Sequence, residues 1–393
     1  MNKYDICVIG GCGHVGLPLA AVFANGGKRV IINDVNENVI DLVKNCKVPF
    51  MEEGLEDLLK NTVGKTLFLS KEKKVISEAE FVIVVVGTPV DEHLNPVFST
   101  LKKFFDEIIP FLCNGQTIIL RSTLYPGLTK KLNQMLKETG KEISVCFCPE
   151  RILEGRSIEE LHNLPQIVSG FDQNSIKKVS DMFRIVTKDI IIVEPIEAEL
   201  AKLFTNTWRY IQFAAANQFY MMAEDFGADF YKIHHAMTYN YPRTKSFPKA
   251  GFAAGPCLFK DCMQLSAFTD NTFFLGHAAM LVNEGLPNFI VSCIENKTNL
   301  SEKSVGILGM AFKSESDDIR ESLSYKLKKI LQIKARQVYC SDHFVKDERL
   351  IPEDELIEKS DIIIIGAPHE KYRTLNYKNK HVVDVWNMIR GKQ

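Results

Sequence analysis

Residues 5–16 read DICVIGGCGHVG, and this stretch decides the fold of the N-terminal part of the chain. An apolar run leads into Gly11, Gly13 and Gly16, which have the spacing of a dinucleotide-binding turn between a strand and a helix. Asp34 ends the second predicted strand, where such folds place a carboxylate that binds ribose hydroxyls and repels the 2'-phosphate of NADP. The sequence therefore predicts NAD as the cofactor, bound through Gly11, Gly13, His14, Val15, Gly16 and Asp34.

More apolar strands follow this turn, alternating with amphipathic segments up to about residue 195. That alternation predicts a parallel sheet covered by helices on both faces. The predicted strands are residues 6–10, 29–33, 81–87, 117–121 and 144–148. Strand ends at Val86-Gly87-Thr88-Pro89 and Arg121-Ser122-Thr123 lie on the carboxyl edge, where open α/β sheets bind ligands. Thr88, Pro89 and Thr123 are therefore predicted to lie near the cofactor.

The pattern becomes helical after Pro195. Residues 197 to about 230 have apolar residues at helical spacing and predict one long helix, and helical patterns continue to about residue 297 around a loop at 239–256. Strands return at residues 305–308, 337–340, 361–365 and 381–385. The predicted fold class is α/β, with two Rossmann-like doubly wound domains joined by a central all-helical domain. We place these domains at residues 1–195, 298–393 and 196–297.

Composition excludes several kinds of partner. The net charge of -1 gives no electrostatic footprint for nucleic acid or an anionic membrane. Apolar runs such as residues 81–86 are far shorter than the roughly 18 residues of a membrane-spanning helix, and the N-terminus has no signal-peptide pattern. Ten cysteines are scattered without paired CxxC spacing, so neither disulfides nor a metal site is expected. We expect a cytoplasmic protein without nucleic-acid or membrane partners.

A series of short motifs spans nearly the whole chain. These are Gly87-Thr88-Pro89, Ser122-Thr123, Pro149-Glu150-Arg151, Glu199-x-x-Lys202, Gly255-Pro256-Cys257-Leu258-x-Lys260-Asp261 and Ala311-Phe312-Lys313. In this order they resemble the UDP-glucose/GDP-mannose dehydrogenase family. The resemblance implies oxidation of the C6 alcohol of a UDP-sugar to a carboxylate, with two NAD consumed per sugar. It also implies a homodimer whose core is the helical domain.

Cys257 is the predicted nucleophile. Oxidising an aldehyde further requires a group that converts it into a tetrahedral hydride donor, and a thiolate does this well. The residue follows a turn of small residues, and Lys260 is near enough in sequence to favour the thiolate. Lys202 and Asn206 lie four residues apart on one face of the long helix. By the resemblance, these two residues stabilise the oxyanion.

The resemblance also implies roles for several charged residues. Glu150 and Glu154 follow a strand end that the family uses for acid/base chemistry and thioester hydrolysis, and Glu154 and Asp261 would orient or deprotonate water. Thr123 would position water or the nicotinamide. Cationic groups suit two diphosphates, so Lys313 is assigned to the substrate and Arg320 to the cofactor. The predicted substrate contacts are Glu150, Arg151, Glu154, Lys202, Asn206, Gly255, Lys313 and Arg243, the last from the same or the other subunit.

These residue types also have structural interpretations. The glycines could simply form a tight turn, Cys257 could be a buried core cysteine, and the cationic residues could be solvated surface charges. Asn206 could hydrogen-bond between helices, Glu154 could be a surface carboxylate, and Asp261 could form a plain ion pair with Lys260.

Motif details bear on the sugar. Pro149-Glu150-Arg151 resembles the N-acetylhexosamine branch of the family, whereas Glu154-Gly155 resembles the glucose type, and Phe259 replaces the usual proline of Cys-x-Pro-Lys-Asp. We expect UDP-N-acetylmannosamine or UDP-N-acetylglucosamine, with UDP-glucose as the alternative. A non-catalytic NAD-binding scaffold and a two-electron hydroxyacid dehydrogenase are alternatives from other classes, and neither needs Cys257.

Overall fold

The computed structural model describes residues 2–88, 91 and 97–389. It forms two compact units, the first ending at Phe204 and the second beginning at Thr205. The three-domain division of the sequence stays a prediction. None of the helices in the described ranges has the length and apolar character needed to cross a membrane.

Within the described residues, the first unit is an eight-stranded sheet flanked by helices. The strands are β1 (Tyr4–Ile9), β2 (Val30–Asn33), β3 (Leu67–Ser70), β4 (Ala79–Val84), β5 (Thr117–Leu120), β6 (Ser144–Phe147), β7 (Gln166–Gly170) and β8 (Ile190–Ile192). The helices are α1 (Gly16–Asn25), α2 (Glu37–Lys44), α3 (Leu55–Thr62), α4 (Phe98–Ile108), α5 (Leu128–Glu138), α6 (Ser157–Asn163) and α7 (Gln173–Phe183). The strand order β3-β2-β1-β4-β5-β6-β7-β8 reverses direction at β1, as in a doubly wound fold.

Strand β1 shows how this sheet acquires a core on each face. Successive side chains of a strand point to opposite faces, so Ile6 and Val8 join one hydrophobic core while Cys7 and Ile9 join the other. All four residues are buried. A strand without a polar face is typical of the centre of a sheet that is covered on both sides.

The five strands predicted for this unit are confirmed, but β3, β7 and β8 were not predicted. Strands β6 and β7 pair antiparallel, so the expectation of a wholly parallel sheet is wrong at that junction. Strand β3 buries only its first residue, and Ile191 and Ile192 of β8 are 43% and 57% exposed. Short strands at a sheet edge lack the apolar pattern on which strand prediction depends.

The predicted long helix is confirmed as α8 (Pro195–Asp225), which starts at a proline, a residue favoured in the first helical turn. In the second unit, a four-stranded parallel sheet of order β10-β9-β11-β12 confirms the four strands predicted there. The strands are β9 (Ser304–Leu308), β10 (Gln337–Ser341), β11 (Ile362–Ile365) and β12 (His381–Val383). The helices of this unit are α9 (Phe230–Thr238), α10 (Leu258–Phe268), α11 (Phe274–Glu295), α12 (Leu323–Lys334) and α13 (Glu353–Lys359).

Asp342 follows β10, and its carboxylate forms hydrogen bonds with other groups of the second Rossmann-like sheet. The carboxylate accepts hydrogen bonds from the main-chain nitrogens of Met310 and Ala311 at 2.5 and 2.9 Å, and His369 Nε2 lies 3.2 Å from it. Burial opposes ionisation, but the hydrogen bond and charge of His369 and the main-chain N–H groups outweigh burial and lower the pKa of Asp342 to about 2. This carboxylate therefore stabilises its own turn.

Candidate active site

The glycine-rich turn between β1 and α1 has the geometry of a pyrophosphate site. A Cβ on Gly16 would lie 2.6 Å from Gly11 Cα, and a Cβ on Gly11 would lie 2.9 Å from Ile32 Cγ2, so packing requires glycine at both positions. Gly13 differs, because no atom lies within 4 Å of the place of its missing Cβ. Two glycines thus allow close packing of strand and helix, and the third leaves room for a ligand against the backbone.

Asp34 lies against the same turn. Its Oδ2 accepts a hydrogen bond from the main-chain nitrogen of Cys12 at 3.0 Å, and its Oδ1 accepts one from Asn36 at 3.1 Å. The side chain is partly exposed, as a carboxylate that binds ribose hydroxyls must be. The residues present therefore fit an NAD molecule whose pyrophosphate meets α1 and whose ribose meets Asp34.

Other predicted cofactor contacts lie at the ends of β4 and β5 and in the turn itself. The Ser122 hydroxyl accepts a hydrogen bond from the Val86 nitrogen at 2.9 Å and so joins the two strand ends. Thr88 and Thr123, which follow these strand ends, are partly exposed, and so are His14 and Val15 in the turn. Pro89 lies outside the described residues.

A buried ion pair holds the segment that follows β6. Arg121 is 2% exposed, and its guanidinium pairs with the Glu150 carboxylate and donates to Gln166 Oε1 at 2.9 Å. The other oxygen of Glu150 accepts the main-chain nitrogens of Arg151 and Ile152 at 2.7 and 3.0 Å. Both oxygens of Glu150 are thus engaged within the protein, an arrangement that suits holding the turn. The predicted acid/base role of Glu150 stays a prediction.

Glu52 holds the far end of this segment, a role that the sequence did not reveal. Its carboxylate accepts the main-chain nitrogens of Gly155 and Ser157 at 2.8 and 2.6 Å and the Ser157 hydroxyl at 2.7 Å. Arg151 also holds this segment, because its guanidinium donates a hydrogen bond to the Pro165 carbonyl. Glu154, partly exposed, is therefore carried by a segment that is held on both sides.

Glu199 fixes the start of α8, which carries Lys202. The carboxylate is 1% exposed and accepts the main-chain nitrogens of Gly127 and Thr129 at 2.6 and 2.7 Å, at the N-terminus of α5. An anion is favoured there because the first N–H groups of a helix lack partners within it. Lys202 follows one turn later and is partly buried. The spacing Glu199-x-x-Lys202 was the signal in the sequence, although it did not reveal this structural role.

In the second unit, Cys257 stands at the N-cap of α10 and its side chain is exposed. Its carbonyl accepts the first helical hydrogen bond, from the Asp261 nitrogen at 2.8 Å. A helix N-terminus favours a thiolate over a thiol. Cys262 contrasts with it, because burial raises the pKa of this thiol to about 12. The alternative of a buried core cysteine is wrong for Cys257.

Asn206 and Asp261 meet in the interior beside this helix. The Asn206 amide donates to Asp261 Oδ2 at 2.6 Å, and both side chains are buried. Lys260 Nζ lies 4.0 Å from Asp261 Oδ1. The structure thus brings three predicted residues to one place, with Asn206 bonded to an acid one turn along from Cys257.

The loop before Cys257 packs on the Ala-Phe-Lys motif. Gly255 has φ +102°, and a Cβ there would lie 2.7 Å from the Phe312 ring, so only glycine fits. Its nitrogen donates to the Glu321 carbonyl at 3.4 Å, and Lys313 Nζ lies 5.5 Å from the centre of the Phe312 ring. A cavity of about 510 Å³, lined in part by Gly255 and Glu321, borders this loop. That volume is in the range of small-ligand sites.

Two predicted phosphate ligands lie on exposed segments. Arg320 Nε is 3.0 and 2.9 Å from the two oxygens of Asp318, which orients the guanidinium. Arg243 is exposed, and its guanidinium donates to the Tyr241 hydroxyl at 3.3 Å. Their assignments to cofactor and substrate stay predictions.

Comparison with known proteins identifies similar chains across the full length. Three models of the UDP-glucose/GDP-mannose dehydrogenase family match, namely the NAD binding domain at residues 4–187, the central domain at 196–284 and the UDP binding domain at 306–391. The UDP-N-acetyl-D-mannosamine dehydrogenase of Methanocaldococcus jannaschii is 30% identical over 98% of this chain and 92% of its own.

Solved structures are similar as well. A UDP-N-acetylmannosamine dehydrogenase from Pyrococcus horikoshii has a TM-score of 0.91 at 26% identity, covering 98% of this chain and 96% of its own. A UDP-glucose dehydrogenase from Pyrobaculum islandicum has a TM-score of 0.90 at 24% identity, covering 98% and 95%, and shares the fold.

Proposed function

The chain belongs to the UDP-glucose/GDP-mannose dehydrogenase family, and from that premise we propose that it oxidises the C6 alcohol of UDP-N-acetyl-D-mannosamine to a carboxylate. The observation that carries the proposal is an exposed Cys257 at a helix N-terminus beside the Asn206–Asp261 pair. A non-catalytic scaffold needs none of these groups, and a two-electron dehydrogenase does not need the thiol.

The reaction consists of two oxidations and a hydrolysis. NAD supplies a hydride acceptor in each oxidation. Loss of the alcohol proton and of a hydride from C6 produces the aldehyde. The Cys257 thiolate then forms a C–S bond to that carbon while the C=O π bond opens to an oxyanion, and loss of the second hydride from this thiohemiacetal anion restores C=O as a thioester. Water adds to the thioester and releases its two protons, the C–S bond breaks, and the carboxylate leaves while Cys257 returns to the thiolate.

Other residues stabilise charge and handle protons. Lys202 and Asn206 donate to the oxygen on C6 when it carries negative charge. Asn206 is buried and held by Asp261, so it is oriented before the charge forms. Glu154 and Asp261 orient or deprotonate the hydrolytic water, and Glu154 is the partly exposed acid on its segment. Glu150 serves mainly to position the segment, through its pair with Arg121.

The UDP-sugar is recognised through its diphosphate and its sugar ring. Lys313 and Arg243 bind the diphosphate, Arg320 contacts the cofactor, and Gly255 lies beside the sugar. N-acetylmannosamine is favoured over glucose because the 30% identical relative carries that name, whereas the similar glucose enzyme shares only the fold.

A panel of nucleotide sugars tests the proposal. Purified protein should produce two NADH per UDP-N-acetylmannosamine, with a kcat/KM at least about tenfold above that for UDP-N-acetylglucosamine or UDP-glucose, because rejection of a substrate group of the wrong shape or polarity costs at least that much. Mass spectrometry of the acid product confirms the site of oxidation. One NADH per sugar would indicate a two-electron enzyme, and no turnover of any member would indicate a scaffold.

We further propose a homodimer built on α8 and α11. Trp208, Phe219 and Met222 are 59%, 44% and 47% exposed, and they lie near whole helical turns from one another on one face of α8. Phe226, the residue that follows this helix, is 83% exposed. Leu281 on α11 is 68% exposed. Light scattering at assay concentration should show twice the chain mass, and Phe226→Glu should lower it. A fully active monomer would contradict this proposal.

We place this activity in the cytoplasm. The proposed chemistry needs Cys257 as a reduced thiol with NAD available, and a reducing compartment supplies both. The product is a nucleotide-linked uronic acid, an activated donor of the kind that polysaccharide biosynthesis consumes.

A further inference from the structure

Two buried asparagines connect α8 and α11 to the loop of residues 250–255, here called the Cys257 loop. The Asn217 amide donates to the Gly251 carbonyl at 3.0 Å, and the Gly251 nitrogen donates back to Asn217 Oδ1 at 2.9 Å. Asn217 also donates to Asn283 Oδ1 at 2.9 Å, and Asn283 donates to the Tyr210 carbonyl at 3.0 Å. Both asparagine side chains are fully buried.

Asn217 and Gly251 exchange two hydrogen bonds, as two main-chain residues do in an antiparallel sheet. The side-chain amide uses its oxygen and its nitrogen on one residue of the loop, and its second N–H on Asn283. Because this site excludes water, each of these hydrogen bonds is costly to lose once one partner is removed. Such a network specifies one position of the loop more sharply than apolar packing does.

The Cys257 loop also has apolar contacts, and two longer hydrogen bonds at its ends: the Tyr231 hydroxyl donates to the Ala250 carbonyl and the Gly255 nitrogen to the Glu321 carbonyl, both at 3.4 Å. A Cβ on Gly251 would overlap the Trp386 ring, and Gly255 lies against Phe312. Ala250 and Ala253 are buried, yet Cys257, two residues beyond the loop, is exposed at the N-cap of α10. The hydrogen-bonded pair Asn217–Asn283, here called the anchor, therefore helps to fix the position at which the loop ends and α10 begins.

We propose that Asn217 is a positioning residue for Cys257, holding the thiol at the helix N-terminus through Gly251, with Asn283 as its support. The inference rests on the proposed role of Cys257 as the nucleophile. Displacement of about 1 Å of a reacting group costs up to about 100-fold in rate. Loss of the anchor therefore affects chemistry at Cys257 without changing the glycine-rich turn of the first unit.

The test compares Asn217→Ala with the unmodified enzyme. We expect kcat to fall about 10- to 100-fold while the dissociation constant for NAD stays within about twofold. A second readout needs no turnover. Iodoacetamide labelling at neutral pH, followed by peptide mass spectrometry, gives the alkylation rate of Cys257 relative to the exposed Cys113 of the same molecule. That ratio should fall about tenfold, because a thiol away from the helix N-terminus is less ionised.

Two further variants separate positioning from stability. Leu286→Ala removes a fully buried side chain from α11 but none of the hydrogen bonds of the anchor, so it should lower Tm but leave kcat and the alkylation ratio within about twofold. Asn283→Ala keeps both bonds between Asn217 and Gly251, so its effect on kcat should be smaller than that of Asn217→Ala. If Asn217→Ala does not fold, the isosteric Asn217→Asp replaces it, since this change removes the N–H donors.

The outcomes are distinct. An Asn217 variant with an unchanged alkylation ratio and kcat, or losses that Leu286→Ala reproduces at equal Tm, would overturn the positioning role. If Cys257→Ala retains acid production, the proposed function fails instead, and the alkylation ratio still reports whether Asn217 positions the thiol.

Discussion

Cys257→Ala is expected to bind the nucleotide sugar and NAD yet to produce almost no uronic acid. Binding and the first hydride loss need no thiol, so the variant should release aldehyde with at most one NADH per sugar. The second oxidation requires a tetrahedral carbon that carries a good leaving group for the later hydrolysis, and the C–S bond provides both. We expect a loss of acid formation of at least about 1000-fold, in line with removal of a covalent nucleophile. Mass spectrometry of products and NADH counted per sugar are the measurements.

Matched cysteine variants control this experiment. Cys113→Ala removes another exposed thiol, and Cys262→Ala removes a buried one from the same helix as the N-capping Cys257. Both should keep two NADH per sugar. Cys257→Ser should accumulate a hemiacetal or a slowly hydrolysed ester, because an alkoxide is a poorer leaving group than a thiolate. Acid formation by Cys257→Ala at the unmodified rate would show that the thioester route is wrong.

The parts of the site that were predictable from sequence share a local origin. Gly11, Gly13 and Gly16 are fixed by close packing and by ligand access within one turn, so their spacing carries the information. Cys257 is similar, because the run of small residues before it and Lys260 after it are its neighbours in sequence. Its position at a helix N-terminus was not predicted. Each signal lies within a few residues of sequence, so these residues could be singled out before the structure was known.

The residues that were missed act over long sequence separations. Glu52 binds Gly155 and Ser157, and Asn217 binds Gly251, in each case from an element that is distant in the chain. Glu52 precedes α3, where an acid is ordinary, and Asn217 is one polar residue in a mostly apolar helix. Such residues look unremarkable locally, and only the tertiary structure shows which backbone group each one holds.

The edge strands β3 and β8 were not predicted for a different reason. Strand β8 exposes two isoleucines and β3 buries a single residue, so neither has the alternating pattern of a half-buried strand. Their pairing is decided by main-chain hydrogen bonds to a neighbour already in place, as in the registers of Val30 with Leu67 and Gln166 with Ile190. A strand whose formation depends on its neighbour has little hydrophobic pattern in its own sequence from which to predict it.

Lys202→Ala is expected to slow both oxidations, unlike Cys257→Ala, which blocks only the second. The oxygen on C6 acquires negative charge during alcohol oxidation and again when the thiolate has added, and one ammonium group serves both events. Loss of one oxyanion donor costs about 100- to 1000-fold in rate, so kcat should fall by that factor.

The ratio of products distinguishes the two roles. Lys202→Ala should still yield two NADH per sugar and no excess of aldehyde, because both oxidations are slowed. Glu199 holds the preceding turn of α8 through Gly127 and Thr129, so the helix should keep its position without the lysine. Lys177→Ala, which removes a surface amine paired with Asp181, controls for loss of positive charge and should stay within about twofold. If Lys202→Ala accumulated aldehyde with a normal first oxidation, the lysine would act on the thiohemiacetal alone, and the shared role would be wrong.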